Sequence, residues 1–578
     1  MYILGIHNSG WTTAAALLKD GRLVAGGAEE RWTREKYSRA FPHRAIAWCL
    51  ENAGIRFEDV EHVAVGWNPA INVASRYRGG FSDRLRYAGE WLYSVPNHLL
   101  ARLCEAPDPQ ATEQVFDLGG RTLSVHHVNH HLSHTATAFF HSPFERAAVF
   151  TTDFYGERTT TAWWKAEGDR VENLRRVDFP LSLGGLYCAF TEYLGFKPDG
   201  DEWKVMGLAP YGDPTAFERQ FSRIVRPAED GGYEMDLSFF NYYNFDVEGF
   251  YTPRLVELFG PARRSDEEIS QRFKDVAASL QRTLEQILIH CLRDLHAKTR
   301  CDDLCLSGGV IMNSVFNGIV LRDTPFRRAY IPFSPDDTGN AIGAALAVHH
   351  GVLPRRTGGQ PAPREEMRHA YWGPAYSESE IERTLARYKL AATRVERPEV
   401  AAVERLTDGK IVGWFQGRME FGQRALGNRS ILADPRREDM KDAINAAVKY
   451  REGFRPFAPS VLEEEKDEWF AIEPGTSVPF MERVYPVRPE KQTLIPAVTH
   501  VDGSGRLQTV SRETNPLYHA LIKEFARRTG VPVVLNTSFN VQGEPIVMSP
   551  SDALRTFFTC GLDSLIMGPF VVDKGAAR

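Results

Sequence analysis

The chain contains 578 residues, a length that predicts two to four domains, because one hydrophobic core rarely serves so many residues. Its 43% hydrophobic and 25% charged residues are typical of a soluble globular protein. The formal net charge is −6, so there is no overall basic field to hold a polyanion, and we expect no nucleic-acid partner.

The apolar segments and the cysteines bear on location. No apolar run reaches the roughly 18 residues of a membrane span, so no membrane association is expected. The first six residues begin a strand and do not look like a signal peptide. Seven cysteines, an odd number, predict reduced thiols and a cytoplasmic protein. A monomer and an oligomer are both compatible with the sequence.

The first ~350 residues alternate short apolar segments with longer amphipathic ones, which predicts an α/β architecture. Two similar strand hairpins occur in this part, and such a pair is compatible with a duplicated nucleotide-binding sheet. The predicted strands are residues 2–6, 14–19 and 23–28 in the first unit, and residues 147–152 and 159–165 in the second.

The Asn-His-His-Leu-Ser-His motif at residues 129–134 follows a predicted strand at residues 125–128. If Asn129 caps the next helix, His130 and His134 leave the same face of it. Asp153, at the end of another predicted strand, could add an oxygen ligand, and such a set suits Zn(II) or Fe(II) better than Mg(II). A His pair at this spacing is also common without a metal, so both interpretations stay open.

A glycine turn joins a strand to a helix later in the first half. The spacing of apolar residues predicts a long helix with a buried stripe over residues 265–299, followed by a strand at 303–306. The Ser-Gly-Gly-Val sequence at 307–310 then opens a helix over 313–321, and such turns can approach a nucleotide. Gly-Gly turns are also common without a ligand.

A polar linker rich in Pro and Gly predicts the domain boundary, with domains at residues 1–354 and 369–578 and the linker at 355–368. In the second domain, residues 417–430 hold three Arg and three Gly, and residues 449–460 add Lys and Arg. A predicted strand at 531–535 ends in Asn-Thr-Ser-Phe-Asn. Together these favour a phosphate-bearing ligand, although each Arg alone could be a solvated, paired side chain.

Seven motifs make the chain resemble the O-carbamoyltransferases of antibiotic biosynthesis and nodulation, the family of the cephem and aminoglycoside carbamoyltransferases. The resemblance covers nearly the whole length. The motifs lie at residues 28–34, 129–134, 204–212, 307–310, 424–430, 455–460 and 535–540.

The resemblance implies an actin-like (ASKHA) first domain, similar to the metalloprotein of tRNA threonylcarbamoylation, and a YrdC-like second domain. It also implies the reaction. Carbamoyl phosphate loses phosphate in the second domain, and the carbamate attacks ATP to give carbamoyl adenylate and pyrophosphate. In the first domain a hydroxylated natural-product acceptor takes the carbamoyl group and AMP leaves. The implied cofactors are Mg(II) with the substrate ATP, and Fe(II) or Zn(II) in the first domain.

Site residues carry over at the matching positions. The implied metal ligands are His130, His134, Asp153 and Asp337, with Asp336 competing for the fourth place. The implied catalytic residues are Lys36, which approaches the carbamoyl adenylate, together with His130 and Asp153. The implied ligand-binding residues are Gly308, Gly309 and Asn313 for the nucleotide, and Arg424, Lys449, Arg455, Arg506, Asn536 and Ser538 for ATP and carbamoyl phosphate.

One position departs from the family pattern. Where members often carry His-Asp, this chain has Trp11, so the general base is unassigned. His7, His131 and a route without a dedicated base all stay open.

Three other functions share parts of the pattern: a phosphotransferase on the same fold, tRNA threonylcarbamoylation, and a nucleotide-sensing regulator. ADP as the nucleotide product would favour the first. The acidic balance argues against a tRNA substrate. The acceptor is not specified, because sugar, aminocyclitol and polyketide hydroxyls all fit, and the native metal is equally open.

Overall fold

The structure is a computed structural model that describes residues 1–8, 12–68, 110–244, 247–354, 363–449 and 452–574. Trp11 and most of the predicted linker at 355–368 lie outside the described residues. The chain forms two compact units, one of Met1–Ala25 and Arg39–Glu366 and one of Gly26–Ser38 and Met367–Arg578. The sequence did not indicate that Gly26–Ser38, which carries the Glu-Glu-Arg-Trp motif, packs with the C-terminal half.

The first sheet follows the order β3-β2-β1-β4-β6-β5. Its strands are β1 (Tyr2–His7), β2 (Ala14–Lys19), β3 (Arg22–Ala28), β4 (His62–Val65), β5 (Ala111–Asp117) and β6 (Thr122–Val128). Strand β1 is antiparallel to β2 and parallel to β4, which in turn is parallel to β6. The predicted hairpin is confirmed, since Asp20 and Gly21 both have the positive φ of a tight two-residue turn.

The second sheet repeats this arrangement in the order β13-β12-β7-β8-β9. Its strands are β7 (Arg146–Thr152), β8 (Thr159–Glu167), β9 (Arg170–Asp178), β12 (Asp303–Ser307) and β13 (Arg328–Tyr330), and a separate hairpin contains β10 (Val225–Pro227) and β11 (Tyr233–Met235). Three antiparallel strands again precede two parallel ones. This duplicated order confirms the expected α/β, actin-like architecture.

Helices cover these sheets and include the long predicted one. Helix α1 (Glu30–Thr33) belongs to the second unit, and the first contains α2 (His43–Ala53), α3 (His130–Phe140), α4 (Leu183–Tyr193), α5 (Glu202–Leu208), α6 (Glu218–Phe221), α7 (Pro253–Phe259), α8 (Gln271–Thr299), α9 (Ser314–Asp323) and α10 (Asn340–Ala347). Helix α8 begins six residues later than predicted, after Ser270, and its apolar stripe is buried.

Two glycines bring α10 close to the segments that carry the site. A Cβ on Gly5 of β1 would lie 1.8 Å from the Ala341 carbonyl oxygen, and one on Gly343 would lie 1.9 Å from that of Ser133. Helix α10 is therefore pressed between strand β1 and helix α3. This close spacing is possible only because glycine has no side chain.

The second unit is built on a nine-stranded sheet of order β14-β22-β21-β15-β16-β20-β17-β19-β18. Its strands are β14 (Thr393–Arg394), β15 (Val412–Phe415), β16 (Arg429–Ala433), β17 (Ala458–Leu462), β18 (Arg483–Pro486), β19 (Ser504–Val510), β20 (Val533–Ser538), β21 (Ser564–Met567) and β22 (Phe570–Asp573). Its further helices are α11 (Glu378–Arg387), α12 (Pro398–Thr407), α13 (Met440–Ile444), α14 (Lys466–Trp469), α15 (Pro489–Gln492), α16 (Pro516–Thr529) and α17 (Pro550–Thr559). One apolar core, including Trp414, Phe525 and Leu535, lies against this sheet.

Two arginines anchor the N-terminal segment of this unit. The Arg31 guanidinium donates to the Gly422 carbonyl at 2.7 Å, and that of Arg34 donates to the Ile546 and Pro545 carbonyls at 2.7 and 2.8 Å. These bonds explain why a segment so far away in sequence belongs to the second unit.

Within the described residues, no helix combines the length and apolar character needed to span a membrane. The six described cysteines are free and buried.

A cluster of buried histidines lies at the C-terminal ends of α3 and α10. Burial and the nearby Arg364 guanidinium lower the pKa of His141 to about 3. Burial lowers the pKa of His350 to about 3 as well, with His349 and Arg364 adding to the effect. The His350 ring stacks on Phe140 at 4.4 Å, so it sits where a charged imidazole would be poorly solvated. Both side chains are therefore neutral near pH 7.

These pKa values predict acid-sensitive stability. Because the folded-state pKa lies below the unfolded one, His141 contributes its full stability above about pH 6.5 and loses it as the pH falls toward 3. At pH 5 the loss is about 2 kcal/mol. Urea unfolding at pH 7.5 and 5 should therefore show a smaller acid loss for His141→Asn than for the wild type. His43→Asn, at an exposed histidine, is the control and should behave like the wild type. An unchanged acid loss in His141→Asn would contradict this assignment.

Candidate metal centre and anion-binding face

Two histidines face each other from the first turns of helix α3. The Asn129 side chain accepts a hydrogen bond from the Leu132 amide at 3.0 Å, which confirms the predicted N-cap. His130 and His134 are fully buried, and their Nε2 atoms lie 3.1 Å apart. The four-residue spacing thus brings two imidazole nitrogens to one point, as expected for residues on one face of a helix.

Two aspartates complete a cluster of four. Asp153, just after β7, places Oδ2 2.9 Å from His134 Nε2 and 3.7 Å from His130 Nε2. Asp337 places Oδ1 3.4 Å from His130 Nε2 and 3.5 Å from His134 Nε2. One ligand atom from each residue lies within 4.8 Å of all the others. Ligands about 2 Å from a metal ion are separated by about 3–3.5 Å, so the spacing fits one ion.

Asp336 and Asp337 have different surroundings. Asp336 Oδ1 accepts hydrogen bonds from the Ser334 and Thr338 hydroxyls at 2.7 and 2.8 Å, so it stabilises its own turn. Asp337 instead reaches His130, His134 and His7, whose Nε2 lies 3.4 Å from Asp337 Oδ2. Of the two competing aspartates, Asp337 is the one that joins the cluster.

Charge pairing dominates the cluster. Burial alone would lower the pKa of His130, but the Asp337 and Asp153 carboxylates raise it well above its usual value. Burial alone would raise the pKa of Asp337, yet the two imidazoles hold it well below its usual range. A divalent cation that replaced the imidazole protons would leave both imidazoles neutral. It would then balance the charge of the two carboxylates in place of those protons.

Neighbouring groups orient two of the four residues. The Gly309 amide donates to Asp153 Oδ2 at 3.0 Å, and the Phe154 amide donates to Asp153 Oδ1 at 2.7 Å. The Ser307 hydroxyl donates to the Pro335 carbonyl at 3.1 Å, and its oxygen lies 3.3 Å from His134 Nδ1. A proton on Nδ1 can therefore be accepted by Ser307, which leaves Nε2 of His134 free to face the cluster.

The predicted nucleotide-binding turn lies directly beside the cluster. Gly308 has a φ of 106°, and a Cβ there would lie 2.1 Å from the Thr152 carbonyl oxygen. A Cβ on Gly309 would lie 2.8 Å from Asp153 Oδ1. The Asn313 side chain caps α9 at the Phe316 amide and pairs with Gln281, so much of its hydrogen-bonding capacity is used within the protein. Its contact with a nucleotide stays a prediction.

The two histidines considered as general bases differ in their contacts. His131 Nδ1 lies 2.9 Å from the Thr151 hydroxyl, and its Nε2 lies 2.8 Å from the Thr159 carbonyl. Burial and the neighbouring His130 and His134 lower the pKa of His131 to about 3. These contacts argue against His131 as the base. His7 contacts the cluster through Asp337, and Trp11 lies outside the described residues.

Lys36 belongs to the second unit, within Gly26–Ser38. Its Nζ lies 5.0 Å from the centre of the Tyr37 ring. Its catalytic role therefore stays a prediction from the resemblance.

In the second unit, three of the predicted anion-binding residues share one face of the sheet. Asn536 and Ser538 lie within β20, although the sequence placed them in the turn after a shorter strand. Asn536 donates to Gln508 Oε1 on β19 at 3.0 Å, and Arg506 is two residues before Gln508 on the same strand. Alternate residues of a strand share a face, so Arg506, Asn536 and Ser538 lie on the same side.

The other predicted cations differ in their surroundings. The Lys449 ammonium donates to the Ser538 carbonyl at 2.6 Å and to the Asn540 carbonyl and side-chain oxygens at 2.9 Å. Arg424 precedes Ala425, whose carbonyl accepts a hydrogen bond from Asn536 at 3.2 Å. Arg455 Nη1 lies 3.4 Å from Glu452 Oε2, and the Arg455 side chain is largely buried. The structure thus places Lys449 and Arg424 next to the strand that carries Asn536 and Ser538.

Two arginines of the glycine-rich segment are structural. Arg429 is fully buried, donates to the Gln416, Asn428, Pro374 and Gly417 carbonyls, and lies 3.7 Å over the Phe415 ring. Arg418 donates to the Gly373 and Trp372 carbonyls. Both guanidinium groups already donate hydrogen bonds to backbone carbonyl oxygens, so they are poor candidates for anion binding.

The sequence did not single out two carboxylates that organise the sites. Glu420 Oε1 accepts from the Leu426, Asn428 and Arg429 amides at 2.7, 2.8 and 3.2 Å. Glu157 accepts from the His130 amide at 3.0 Å and from the Asn68 amide at 2.6 Å. Glu420 stands inside the conspicuous glycine-rich segment, whereas the partners of Glu157 are distant in sequence and left no local signal.

The aromatic segment at residues 239–244 is packed into the first unit. Phe239, Phe240 and Tyr242 are buried, and the Tyr242 hydroxyl donates to the Pro180 carbonyl at 2.7 Å. Among the described residues, Trp67 lies beside the metal cluster, with its ring centre 5.4 Å from that of His130.

Two solved structures show low overall similarity to this chain. Component A of the (R)-2-hydroxyglutaryl-CoA dehydratase from Acidaminococcus fermentans is 15% identical and covers 61% of this chain and 99% of its own, with a TM-score of 0.32. Full-length HypF in a phosphate- and nucleotide-bound form is 13% identical and covers 60% of this chain and 55% of its own, with a TM-score of 0.29.

Sequence relatives are much closer. Nodulation protein NolNO of Sinorhizobium fredii is 40% identical over 98% of this chain and 79% of its own length. Nodulation protein NolO of Bradyrhizobium diazoefficiens is 43% identical over 78% of this chain and 79% of its own. An uncharacterized protein of Synechocystis is 38% identical over 100% of this chain and 97% of its own.

Family models cover both units. Residues 2–346 match the model described as the carbamoyltransferase N-terminus, and residues 403–574 match the one described as the carbamoyltransferase C-terminus. The N-terminal model matches the first part of the chain and the C-terminal model the last part, and together they span most of it. The protein belongs to the carbamoyltransferase family and is an enzyme of that class.

Proposed function

We propose that this carbamoyltransferase uses ATP to activate carbamoyl phosphate as carbamoyl adenylate and transfers the carbamoyl group to a hydroxyl of a small-molecule acceptor. The observation that carries the proposal is the buried cluster of His130, His134, Asp153 and Asp337 in one unit, with a separate polar, cation-bordered face in the other. Two chemically different sites suit a reaction of two stages. We assign the transfer domain to residues 1–354 without Gly26–Ser38, the linker to 355–368, and a YrdC-like domain to 369–578 together with Gly26–Ser38.

Activation is assigned to the second unit because of its charge. Carbamoyl phosphate and ATP-Mg(II) bring several negative charges together, and nearby cations are needed to offset their repulsion. Arg424, Arg455 and Arg506 are the arginines proposed to bind the phosphates. Lys449, already bonded to the Ser538–Asn540 turn, holds that turn in place. Asn536 and Ser538 would supply neutral hydrogen bonds on the same face.

Transfer is assigned to the first unit. The acceptor oxygen forms a bond to the carbamoyl carbon, the bond from that carbon to the AMP phosphate oxygen breaks with its electron pair on AMP, and the hydroxyl proton passes to water. Two imidazoles and two carboxylates suit Zn(II) or Fe(II) as the ion they would hold. When bound, such an ion supplies Lewis-acid polarisation of the carbamoyl group. Gly308, Gly309 and Asn313 are proposed to border the adenylate.

We also propose a cytoplasmic location, on the ground that the described cysteines are all free thiols.

Separate sites predict separable half-reactions. His134→Ala should keep carbamoyl-phosphate-dependent exchange of pyrophosphate into ATP within about twofold, and should lower carbamoyl transfer by on the order of 10²-fold or more. Arg506→Ala is the matched counterpart and should lower the exchange itself. Exchange is measured with labelled pyrophosphate, and transfer by mass spectrometry of a panel of hydroxylated acceptors with AMP detection.

Two results would contradict this division. One is the loss of both half-reactions in a well-folded His134→Ala variant. The other is ADP as the only nucleotide product of the wild type, which would instead indicate a phosphotransferase.

The close approach of Gly309 to Asp153 predicts a loss of metal affinity in Gly309→Ala. Its Cβ would lie 2.8 Å from Asp153 Oδ1, so the carboxylate must move and its bond from the Gly309 amide is disturbed. Losing such a supporting contact typically weakens metal binding about 10–100-fold. Titration with Zn(II) against a chromophoric chelator measures the change. Gly351→Ala is the control, because a Cβ there meets no atom within 4 Å. Equal affinities for the two variants would refute the prediction.

A further inference from the structure

One imidazole of the second unit is held by a hydrogen bond at one ring nitrogen only. His500 lies in the turn that leads into β19, and its Nδ1 lies 3.2 Å from the Ser504 hydroxyl oxygen. That hydroxyl gives its one proton to Asp502 Oδ1, at 2.6 Å, so it accepts from His500. The neutral ring therefore carries its proton on Nδ1 and has a lone pair on Nε2.

The Nε2 atom of His500 has no assigned role within the protein. It is shielded from solvent, and in the part of the chain that the structure describes it has no hydrogen-bond partner. Leaving a buried acceptor without a donor is costly, and such an atom is usually satisfied by a water molecule or a ligand. The lone pair is therefore available to a bound molecule.

His500 contacts the same face of the sheet that is proposed to bind the phosphates. Its partner Ser504 is two residues before Arg506 on β19, and alternate residues of a strand share a face. Asn536 reaches this face from β20, where it donates to Gln508 Oε1 at 3.0 Å. The imidazole and the predicted anion-binding side chains therefore belong to one surface.

The surroundings of the ring favour its neutral form. Burial is the largest cause and lowers the pKa of His500 to about 4, and the charges of Arg506 and Lys441 act in the same direction. The Asp502 carboxylate and the Phe457 backbone oppose these effects only in part. A phosphate ester bound near the two cations would offset their charge and raise this pKa again. The basicity of the ring thus increases when such a ligand binds.

The proposed activation needs a proton acceptor on this face. Carbamoyl phosphate must lose phosphate to give carbamate, and water attacks such a group readily only when a base takes its proton. The arginines and the Asn536 amide proposed for this face cannot serve, because guanidinium groups stay protonated and an amide is not basic. A neutral imidazole with a lone pair suits the task.

We propose that His500 is the general base for the release of phosphate from carbamoyl phosphate. Water attacks the carbamoyl carbon and gives one proton to His500 Nε2, and the bond from that carbon to the phosphate oxygen breaks with its electron pair on phosphate. The imidazolium returns the proton to the departing phosphate, and the carbamic acid ionises to the carbamate that attacks ATP. This inference rests on the proposed function and adds to it the residue that begins the first step.

A substrate that bypasses the step tests the assignment. Freshly dissolved ammonium carbamate supplies the product of the hydrolysis, so adenylate formation from it does not need the base. His500→Gln keeps a polar side chain without basicity and should lower carbamoyl-phosphate-dependent exchange of pyrophosphate into ATP by about 10²-fold or more. Exchange that depends on ammonium carbamate should stay within about twofold of the wild type, because that route needs no proton transfer from water.

His519→Gln is the matched control. His519 is also a buried histidine of the second unit, and its Nε2 lies 2.9 Å from Glu464 Oε1. This variant should match the wild type with both carbamoyl phosphate and ammonium carbamate. Release of inorganic phosphate from carbamoyl phosphate, measured in the same reactions, should fall in His500→Gln alone.

Three results would overturn the inference. Carbamoyl-phosphate-dependent exchange that survives in His500→Gln would exclude a role as base. Equal losses with both substrates would show that His500 supports the fold or the binding of ATP instead. A wild type that uses carbamoyl phosphate but not ammonium carbamate would contradict the carbamate intermediate. Absence of exchange with either substrate in the wild type would refute the proposed function itself.

Discussion

The convergence of two imidazoles and two carboxylates is the constraint on which the first unit depends. All four side chains are largely withdrawn from water, and each would be costly to bury alone. Their distances of 2.9–3.7 Å let each group offset the cost of the others. The arrangement requires α3, the end of β7 and the turn before α10 to meet at one point. Glycines at positions 5 and 343 make this approach sterically feasible.

Each member of the cluster also has a supporting contact outside it. The Gly309 amide holds Asp153, His7 lies against Asp337, Ser307 lies against Nδ1 of His134, and Glu157 holds the backbone at His130. Such contacts restrict the orientation of each ligand before any ion binds, which favours binding. The same Glu157 also accepts from the Asn68 amide, so it fixes the segment in which Trp67 lies beside His130.

The second unit uses its charges differently. Much of the positive charge that made the segment at 417–430 conspicuous is bonded internally: Arg429 and Arg418 hold backbone carbonyls, and the loop amides are already bound by Glu420. Lys449 likewise stabilises the turn after β20. The internal bonds shape a rigid polar face, and they leave fewer cations for ligands than the composition indicated. This is the usual outcome when arginines are buried, because their donors must be satisfied.

Local patterns in the sequence determined much of this protein. Alternation of apolar segments indicated the duplicated α/β sheets, the tight turn at Asp20 and Gly21 was visible in the residue types, and the spacing of His130 and His134 placed both rings on one helix face. The family, too, followed from motifs in order. Tertiary structure alone decided between Asp336 and Asp337, removed His131 from consideration as a base, and assigned Gly26–Ser38 to the second unit. The physical reason is that these outcomes depend on contacts between segments far apart in the chain. A sequence pattern reports how a residue relates to its near neighbours, whereas Glu157 and Arg34 take their roles from partners that only folding brings near.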